Sequence, residues 1–270
     1  MTASLFKGQH EAVKALFGFT VRQVLFSVKG LVFLLLALIP WAIALLLQAL
    51  ISKGVSVEMG GFTLYNMLVV LYYLAFLIPL ASLFFGVASI ADEVEGGTIG
   101  YLFGRPVPRS LLYLVKLAAT TAILGLGICL SMFVSFLLTR ASASGGLGRG
   151  LGMLGMDLVT AVLGVAVYTA LFSFIGLAFK KPLFWGFLIA FGWENLVAWL
   201  PGFLKRFTVL FHLHTLCPQP TNPTGLVANM LAASESKTAA FAFLFFYLIL
   251  FSVLACWKIR RMEVSAGKEE

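Results

Sequence analysis

The chain has 270 residues, of which 61% are hydrophobic and only 11% are charged. A soluble domain carries about 45–50% apolar and about 25% charged residues, so the excess apolar surface has no aqueous core large enough to hold it. The composition therefore excludes a soluble globular domain. It predicts an all-α integral membrane protein, because apolar runs of about 20 residues match the thickness of a bilayer.

The net charge of +8 raises the possibility of a nucleic-acid partner, but the placement of the basic residues excludes one. They stand singly at the ends of apolar runs, where membrane proteins carry their topology signals. The 3 cysteines are too few and too scattered for a disulfide framework.

The N-terminal region, residues 1–29, has two helical stripes of opposite character. One stripe is apolar and the other is charged: Phe6, Val13, Phe17 and Val24 against Lys7, Glu11, Lys14 and Arg22. This pattern predicts an amphipathic interfacial helix that lies on the membrane surface. The alternative is an ordinary extension of the first span. The region has no short apolar core with a cleavage site, so we expect no signal peptide.

Six apolar segments follow and predict a six-span transmembrane domain, residues 30–258, with a cytoplasmic tail at 259–270. The predicted spans are 30–50, 64–91, 110–139, 151–179, 182–200 and 238–257. With the N-terminus in the cytoplasm, 13 of the 19 Lys and Arg residues lie on the inner side and 6 on the outer side. The positive-inside rule therefore predicts a multi-pass protein of the cytoplasmic (inner) membrane with both termini in the cytoplasm.

The segment 201–237 is predicted to lie on the outer side, and it differs from the other loops. It contains four prolines, two histidines and several aromatic residues. It is too long for a tight turn and too apolar for a free linker. We expect short outer-face helices, packed on the outer mouth of the bundle, before the sixth span.

The loop 92–109, between the second and third spans, carries the most informative pattern. Three carboxylates, Asp92, Glu93 and Glu95, follow the second span. Gly96 and Gly97 permit a sharp turn.

Thr98 is placed to cap a short apolar helix over 99–104, which Pro106 and Pro108 end. Arg105 and Arg109 are placed to meet anionic headgroups or the carboxylates. An exposed apolar helix of this kind suits a groove on a partner protein, or it lies on the lipid headgroups. The physical argument alone leaves both interpretations open.

The same stretch resembles the first cytoplasmic loop of type-2 ATP-binding-cassette (ABC) exporter permeases. The resemblance covers about 27 residues and rests on their spacing: Ile90, Glu93, Gly97, Thr98, Ile99, Leu102, Arg105, Pro106, Val107, Arg109 and Lys116. In that family the loop forms the coupling helix that docks on the ATPase subunit. The resemblance therefore implies coupling roles for Glu93, Gly97, Thr98, Ile99, Leu102, Arg105, Pro106 and Arg109.

The resemblance also implies the partners. Two permease copies pair as a homodimer, each held by an ABC ATPase subunit that binds ATP and Mg. The chain itself is expected to bind no cofactor and to be no enzyme, because it contains no GxxxxGK[ST], HExxH or GxSxG motif.

Glu194 is the most suggestive single residue outside the loop. It lies about 12 residues into the fifth apolar segment, which is roughly 18 Å along a helix. A carboxylate at that depth needs water, a cation or hydrogen-bond donors. One interpretation places it in the transport pathway or an outer gate. The other places it at a bend near the interface, paired with Lys205 or Arg206.

His212, His214 and Cys217 form an HxHxxC pattern whose residue types suit copper or zinc. On a strand the two histidines share a face, and on a helix they diverge. No fourth ligand is evident, so we favour structural packing and predict no metal site. We expect Asp157, near the outer end of the fourth span, to be solvated.

Two other functions stay open. In the first, the complex moves nothing across the membrane, and ATPase-driven motion acts on an extracytoplasmic partner protein through 201–237. In the second, the chain is an ion-coupled carrier or a membrane enzyme. That interpretation needs more ionisable residues at mid-membrane or a catalytic constellation.

Overall fold

The structure, a computed structural model, describes residues 17–24, 26–52, 61–95, 109–140, 147–199, 203–217 and 236–261. These residues are almost entirely helical, and no strand occurs among them. The helices are α1 (Val28–Ser52), α2 (Gly61–Glu95), α3 (Arg109–Arg140), α4 (Leu147–Ala178), α5 (Pro182–Trp199), α6 (Val209–Leu216) and α7 (Lys237–Arg261).

In the described part of the chain, five helices are long and apolar enough to cross a membrane. Their spans are Val28–Leu50, Leu64–Ser89, Arg109–Thr139, Gly150–Ala178 and Lys237–Arg261. They coincide with five of the six predicted spans to within a few residues. The chain is therefore a helical membrane protein.

The remaining predicted span, 182–200, corresponds to α5, which is not one uninterrupted α-helix. Its helix type changes twice, from α (Pro182–Phe187) to π (Leu188–Glu194) and back to α (Asn195–Trp199). Pro182 stands at the first helical position, where its missing N–H and its preset φ favour a start.

The helix α2 contains a second π-helical segment. An α-helical part Gly61–Met67 leads into the π-helical part Leu68–Leu77, and Ile78–Glu95 returns to α-helix. A π segment changes the register of the backbone hydrogen bonds, and such segments often occur at functional sites.

Residues 17–24 are helical and belong to the predicted amphipathic region. Thr20 and Val24 are buried against the bundle, whereas Phe17 and Phe19 are exposed. Ser27 ends this helix and begins α1, because its Oγ donates to the Val24 carbonyl at 3.1 Å and accepts from the Gly30 N–H at 3.0 Å. Residues 1–16 of the prediction lie outside the described residues.

The helix α4 is the centre of the bundle, because α2, α3, α5, α6 and α7 all pack against it. In the 18-residue apolar window of each span, 67% is buried in α2 and in α4, against 24% in α1 and 17% in α7. The apolar residues that α1 and α7 leave exposed match a hydrocarbon environment. The bundle therefore has a buried α2–α4 pair and lipid-facing flanks.

Glycines permit the close approach of α2 and α4. A Cβ on Gly86 would lie 3.1 Å from the Phe172 Cβ and from the Thr169 carbonyl oxygen, and one on Gly176 would lie 3.3 Å from the Val87 carbonyl oxygen. Small residues that let backbones approach are typical of membrane helix pairs. Ser173 Oγ donates to the Gly86 carbonyl at 3.2 Å across the same contact.

We expect Gly86→Val to destabilise the protein, because its Cβ meets the backbone of α4, and overpacking costs about 1–3 kcal/mol. Gly155→Val is the matched control on α4, since a Cβ there meets nothing within 4 Å. Thermal unfolding in mild detergent checks this. Equal unfolding temperatures for the two variants would contradict the close α2–α4 contact.

Candidate functional site

The predicted coupling loop lies largely outside the described residues: Gly97, Thr98, Ile99, Leu102, Arg105 and Pro106. Glu93 lies in the last turn of α2, but its side chain is not among those described. Arg109 is the first residue of α3. The described structure therefore shows the two helices that carry the loop and how they are joined.

Lys116 joins the two helices that flank the loop. Its ammonium, on the second turn of α3, donates to the Ser89 carbonyl of α2 at 3.0 Å, and its side chain is only 4% exposed. A buried ammonium needs an acceptor of the protein, and the Ser89 carbonyl supplies one. The end of α2 and the start of α3 are held together just above the loop.

A second contact ties α7 to the same end of the bundle. Arg260 Nη2 donates to Ser110 Oγ at 3.3 Å. Beside it, a separate apolar cluster joins α3, α4 and α7: Tyr113, Leu117, Ala170, Leu177, Ala255 and Ile259. Packed side chains therefore join α3, α4 and α7 at this end of the bundle.

Glu194 lies at the opposite side of α4 from that cluster and is only 3% exposed. Its Oε1 accepts from the Val209 N–H at 3.1 Å, and its Oε2 accepts from the Leu210 N–H at 2.9 Å. Oε2 also accepts from the Tyr168 hydroxyl at 3.0 Å. The carboxylate is therefore held by three donors of the protein, not by Lys205 or Arg206 as the interface interpretation requires.

Those two N–H groups are the first of α6, so Glu194 caps this helix from another part of the chain. Thr208 supplies the local cap, because its Oγ1 accepts from the Phe211 N–H at 3.3 Å. A carboxylate at a helix N-terminus is favourable, since that end carries partial positive charge. Together Glu194 and Tyr168 join α5, α4 and α6.

The helix α6 occupies a different place from the one the sequence predicts. Short helices are expected on the outer mouth of the bundle, but all eight residues of α6 are buried between α2, α4 and α7. Leu213 reaches deep into this interior, because its Cδ1 lies 3.0 Å from the position of a Cβ on Gly164, at the middle of α4. Val209, Leu210, Leu213 and Leu216 of this helix belong to the apolar core of the bundle.

The histidines of the HxHxxC pattern diverge, as expected for a helix. His212 Nε2 bonds the Arg206 carbonyl at 2.8 Å, and its ring stacks on Phe243 with a centroid distance of 4.8 Å. The His214 ring points instead to α2 and donates to the Val70 carbonyl. The described residues contain no group of three or more His, Cys, Asp or Glu side chains arranged for a metal ion.

Asp157 is buried, with 3% of its surface exposed, so the expectation of a solvated side chain is wrong. The cause is α6, whose C-terminal Cys217 covers the carboxylate. Burial and the neighbouring Asp157 charge raise the pKa of the Cys217 thiol. The thiol is therefore protonated and serves as a hydrogen-bond donor at this contact.

A polar network that the sequence analysis missed surrounds Pro40, which lies inside α1. Pro40 has no N–H for the Leu36 carbonyl, and the Tyr72 hydroxyl donates to that carbonyl at 2.6 Å instead. Ser131 Oγ donates to the adjacent Ala37 carbonyl at 2.6 Å. Proline inside an apolar run was the available signal, because the carbonyl it releases needs a donor.

The same network continues into α2 and α3. The Tyr73 hydroxyl lies 2.7 Å from Ser131 Oγ and 2.8 Å from Ser135 Oγ. Trp41 Nε1 donates to the Ser131 carbonyl at 3.0 Å. Tyr72 and Tyr73 both belong to the π segment of α2, so this segment donates to the Leu36 carbonyl of α1 and bonds two serines of α3.

Asn195 joins the two π segments to each other. Its Nδ2 donates to the Ala190 carbonyl of α5 at 3.1 Å and to the Ala75 carbonyl of α2 at 3.3 Å. One side-chain amide therefore bonds a carbonyl in each of the two π segments.

These features define a helical membrane protein whose central helices are distorted, with a short helix buried among them. The profile of the family described as "Protein of unknown function (DUF2705)" matches residues 41–265, and the chain belongs to this family. No curated protein matches the chain. The matched range contains the loop, Glu194 and α6.

We expect Glu194→Ala to destabilise the protein strongly. It leaves two buried N–H groups and one hydroxyl without an acceptor, and each such group costs about 1–3 kcal/mol. Tyr168→Phe removes one of the three bonds and no acceptor, so its effect should be clearly smaller. Thermal unfolding in detergent ranks the two variants, and an equal or reversed order would refute the capping role.

We expect the contribution of His214 to stability to fall as the pH is lowered from 6.5 toward 4. Burial lowers the pKa of His214 from 6.5 to about 4, although its bond to Val70 acts in the opposite direction. In that window the unfolded chain binds more protons than the folded one. The unfolding temperature at pH 7 minus that at pH 5 should be smaller in His214→Gln than in the unsubstituted protein. An unchanged difference would remove His214 from the explanation.

Proposed function

We propose that the chain is the permease subunit of a type-2 ABC exporter. In this proposal α5 is a sixth span, both termini are cytoplasmic, and two copies work with two separate ATPase subunits that bind ATP and Mg. The observation that carries the proposal is the loop between α2 and α3, whose residues from Ile90 to Lys116 have the spacing of a coupling helix and its flanks.

The contacts at the base of that loop support a coupling role. Lys116 holds α3 to Ser89 of α2, and Arg260 holds α7 to Ser110 of α3. A push on the loop therefore displaces three helices together. Coupling needs such a rigid connection, because a flexible base would dissipate the motion before it reached the spans.

The dimensions of α5 support its role as a span. Its 18 residues extend roughly 27 Å at the helical rise, close to the hydrocarbon thickness of about 30 Å. The cations Lys180 and Lys181 stand directly before its first residue. Leu183, Phe184, Phe187 and Leu188 are exposed along it, which suits contact with lipid or a second copy.

The test is an affinity purification from the native host in mild detergent, followed by an ATPase assay. We expect a stoichiometric ATPase partner. Gly97→Trp in the loop should abolish the permease-dependent part of the ATP hydrolysis while the protein still inserts. Gly152→Trp is the control, since a Cβ at Gly152 meets nothing within 4 Å. If the chain purifies without a partner, hydrolyses no ATP and catalyses flux in liposomes, the protein is a carrier and the proposal is wrong.

A second function is favoured by the way α6 is held. Glu194 and Tyr168 link α6 to α4 and α5, so motion of those helices moves the segment that follows Cys217. An assembly that drives an extracytoplasmic partner would use this linkage without moving a substrate. A soluble partner bound to that segment, with no flux in liposomes, would favour this function over export.

A further inference from the structure

An apolar groove lies on the outside of the bundle, between α3 and α7 and with α4 as its floor. Its volume is about 670 Å³. The residues that line it include Ala118, Ala122 and Gly125 of α3, Val162 of α4, and Leu248 and Ser252 of α7. The groove opens laterally, because Ala118, Ala122 and Val162 are exposed. What enters it therefore comes from the bilayer.

Small residues on α3 keep the groove open along much of the helix. Ala118, Ala122 and Gly125 are spaced by four and three residues, so they share one face of the helix. Leu114 and Cys129 line the two ends of this row. They are 15 residues apart, which is roughly 22 Å along the helix. One leaflet of a hydrocarbon layer of about 30 Å is roughly 15 Å deep, so the groove is long enough for an acyl chain of one leaflet.

A cation is held just beyond the Leu114 end of the groove. Arg260 Nη2 donates to Ser110 Oγ at 3.3 Å. Ser110 precedes Leu114 by four residues and therefore lies on the same side of α3. The hydrogen bond thus places the Arg260 guanidinium about one helical turn, or roughly 6 Å, beyond the apolar lining.

This cation lies at the surface of the membrane. The span in α3 begins at Arg109 and the span in α7 ends at Arg261, so Ser110 and Arg260 lie where hydrocarbon meets headgroups. The Arg261 guanidinium carbon lies 4.2 Å from the ring centroid of Trp257, and tryptophan is enriched at that boundary. The groove therefore runs from the headgroup level into the hydrocarbon.

The contact with Ser110 leaves the charge of Arg260 in place. The serine hydroxyl is neutral, and it engages one of the five N–H donors of an exposed guanidinium. Phosphate accepts from arginine through two parallel charge-assisted bonds. An occupant that fits the whole feature is apolar over the length of the groove and negatively charged at one end. An anionic phospholipid has both properties, whereas an apolar helix of a second copy has only the first.

We propose that this groove binds one anionic phospholipid, with an acyl chain along Ala118, Ala122 and Gly125 and the phosphate at Arg260 and Ser110. The lipid contacts α3 and α7 together and stabilises their junction. The site goes beyond the proposed function and does not depend on it, because neither an ATPase nor the loop 92–109 takes part in binding.

The first test uses phosphatidylglycerol and phosphatidylcholine with identical acyl chains as probes, by native mass spectrometry of the full chain in mild detergent. The unsubstituted chain should prefer phosphatidylglycerol. Arg260→Gln should bind phosphatidylglycerol about 5-fold more weakly, with phosphatidylcholine unchanged, because one cation near an anionic lipid contributes a factor of that order. Equal phosphatidylglycerol binding by Arg260→Gln would overturn the proposal.

The next residue along α7 is the matched control. Arg261 is exposed like Arg260, and Arg261→Gln changes the net charge by the same amount, but its guanidinium lies on Trp257 rather than at the groove. Arg261→Gln should keep the preference for phosphatidylglycerol. An equal loss in both variants would mean that net charge attracts the lipid, and the proposed site would be wrong.

A second pair of variants tests the acyl-chain part of the site. Ala122→Phe fills the groove from an exposed position and should weaken the binding of both lipids. Ala242→Phe makes the same change at an exposed position of α7 outside the groove and should leave both unchanged. If Ala122→Phe keeps lipid binding and instead separates a dimer into monomers, the groove is a contact between copies and the proposal fails.

Photocrosslinking of the unsubstituted chain covers the case in which Ala122→Phe does not fold. Phosphatidylglycerol with a photoactivatable diazirine in one acyl chain should form adducts concentrated on 114–129 of α3 and 248–252 of α7. Adducts spread evenly over the lipid-facing helices, or absent from both ranges, would refute a defined site.

Discussion

One constraint governs the interior of this protein: in a membrane, every backbone polar group needs a partner from the protein itself. Pro40 leaves one carbonyl of α1 without its helical N–H, and the first N–H groups of α6 have no helical acceptor. Tyr72 satisfies the Leu36 carbonyl, Glu194 satisfies two N–H groups of α6, and Asn195 bonds one carbonyl in each π segment. The polar side chains of the core are therefore placed where the regular helix fails.

The same placement links the elements that a transport cycle would move. The π segment of α2 supplies Tyr72 and Tyr73 to α1 and α3, and it receives Asn195 from α5 and His214 from α6. Side-chain bonds of this kind break and re-form more readily than a continuous α-helical ladder. Distorted segments tied by side chains are thus suited to a change of register, whereas the α2–α4 contact at Gly86 and Gly176 is close-packed backbone.

Two parts of the bundle are joined in different ways. Near the predicted coupling loop, Lys116, Arg260 and an apolar cluster hold α2, α3, α4 and α7 together. The short helix α6 is held by the hydrogen bonds of its N-terminus to Glu194 and by apolar packing against α2, α4 and α7.

The sequence by itself determined the class of the protein and most of its helices. Composition required a bilayer, and apolar runs of span length located five membrane helices to within a few residues, because hydrophobic length is a local property. It also singled out Glu194 as a carboxylate too deep to be left without partners. The motif between the second and third spans, which carries the functional proposal, is likewise local.

Tertiary structure alone decided which groups those polar residues meet. Glu194 bonds residues 15 and 16 positions further along the chain, and Asn195 bonds a carbonyl 120 positions away. Asp157 is buried because α6 folds back over it, and α6 enters the bundle because Gly164 leaves room for Leu213. Periodicity reports how apolar a segment is, but the partner of a released backbone group depends on which helices the fold brings together.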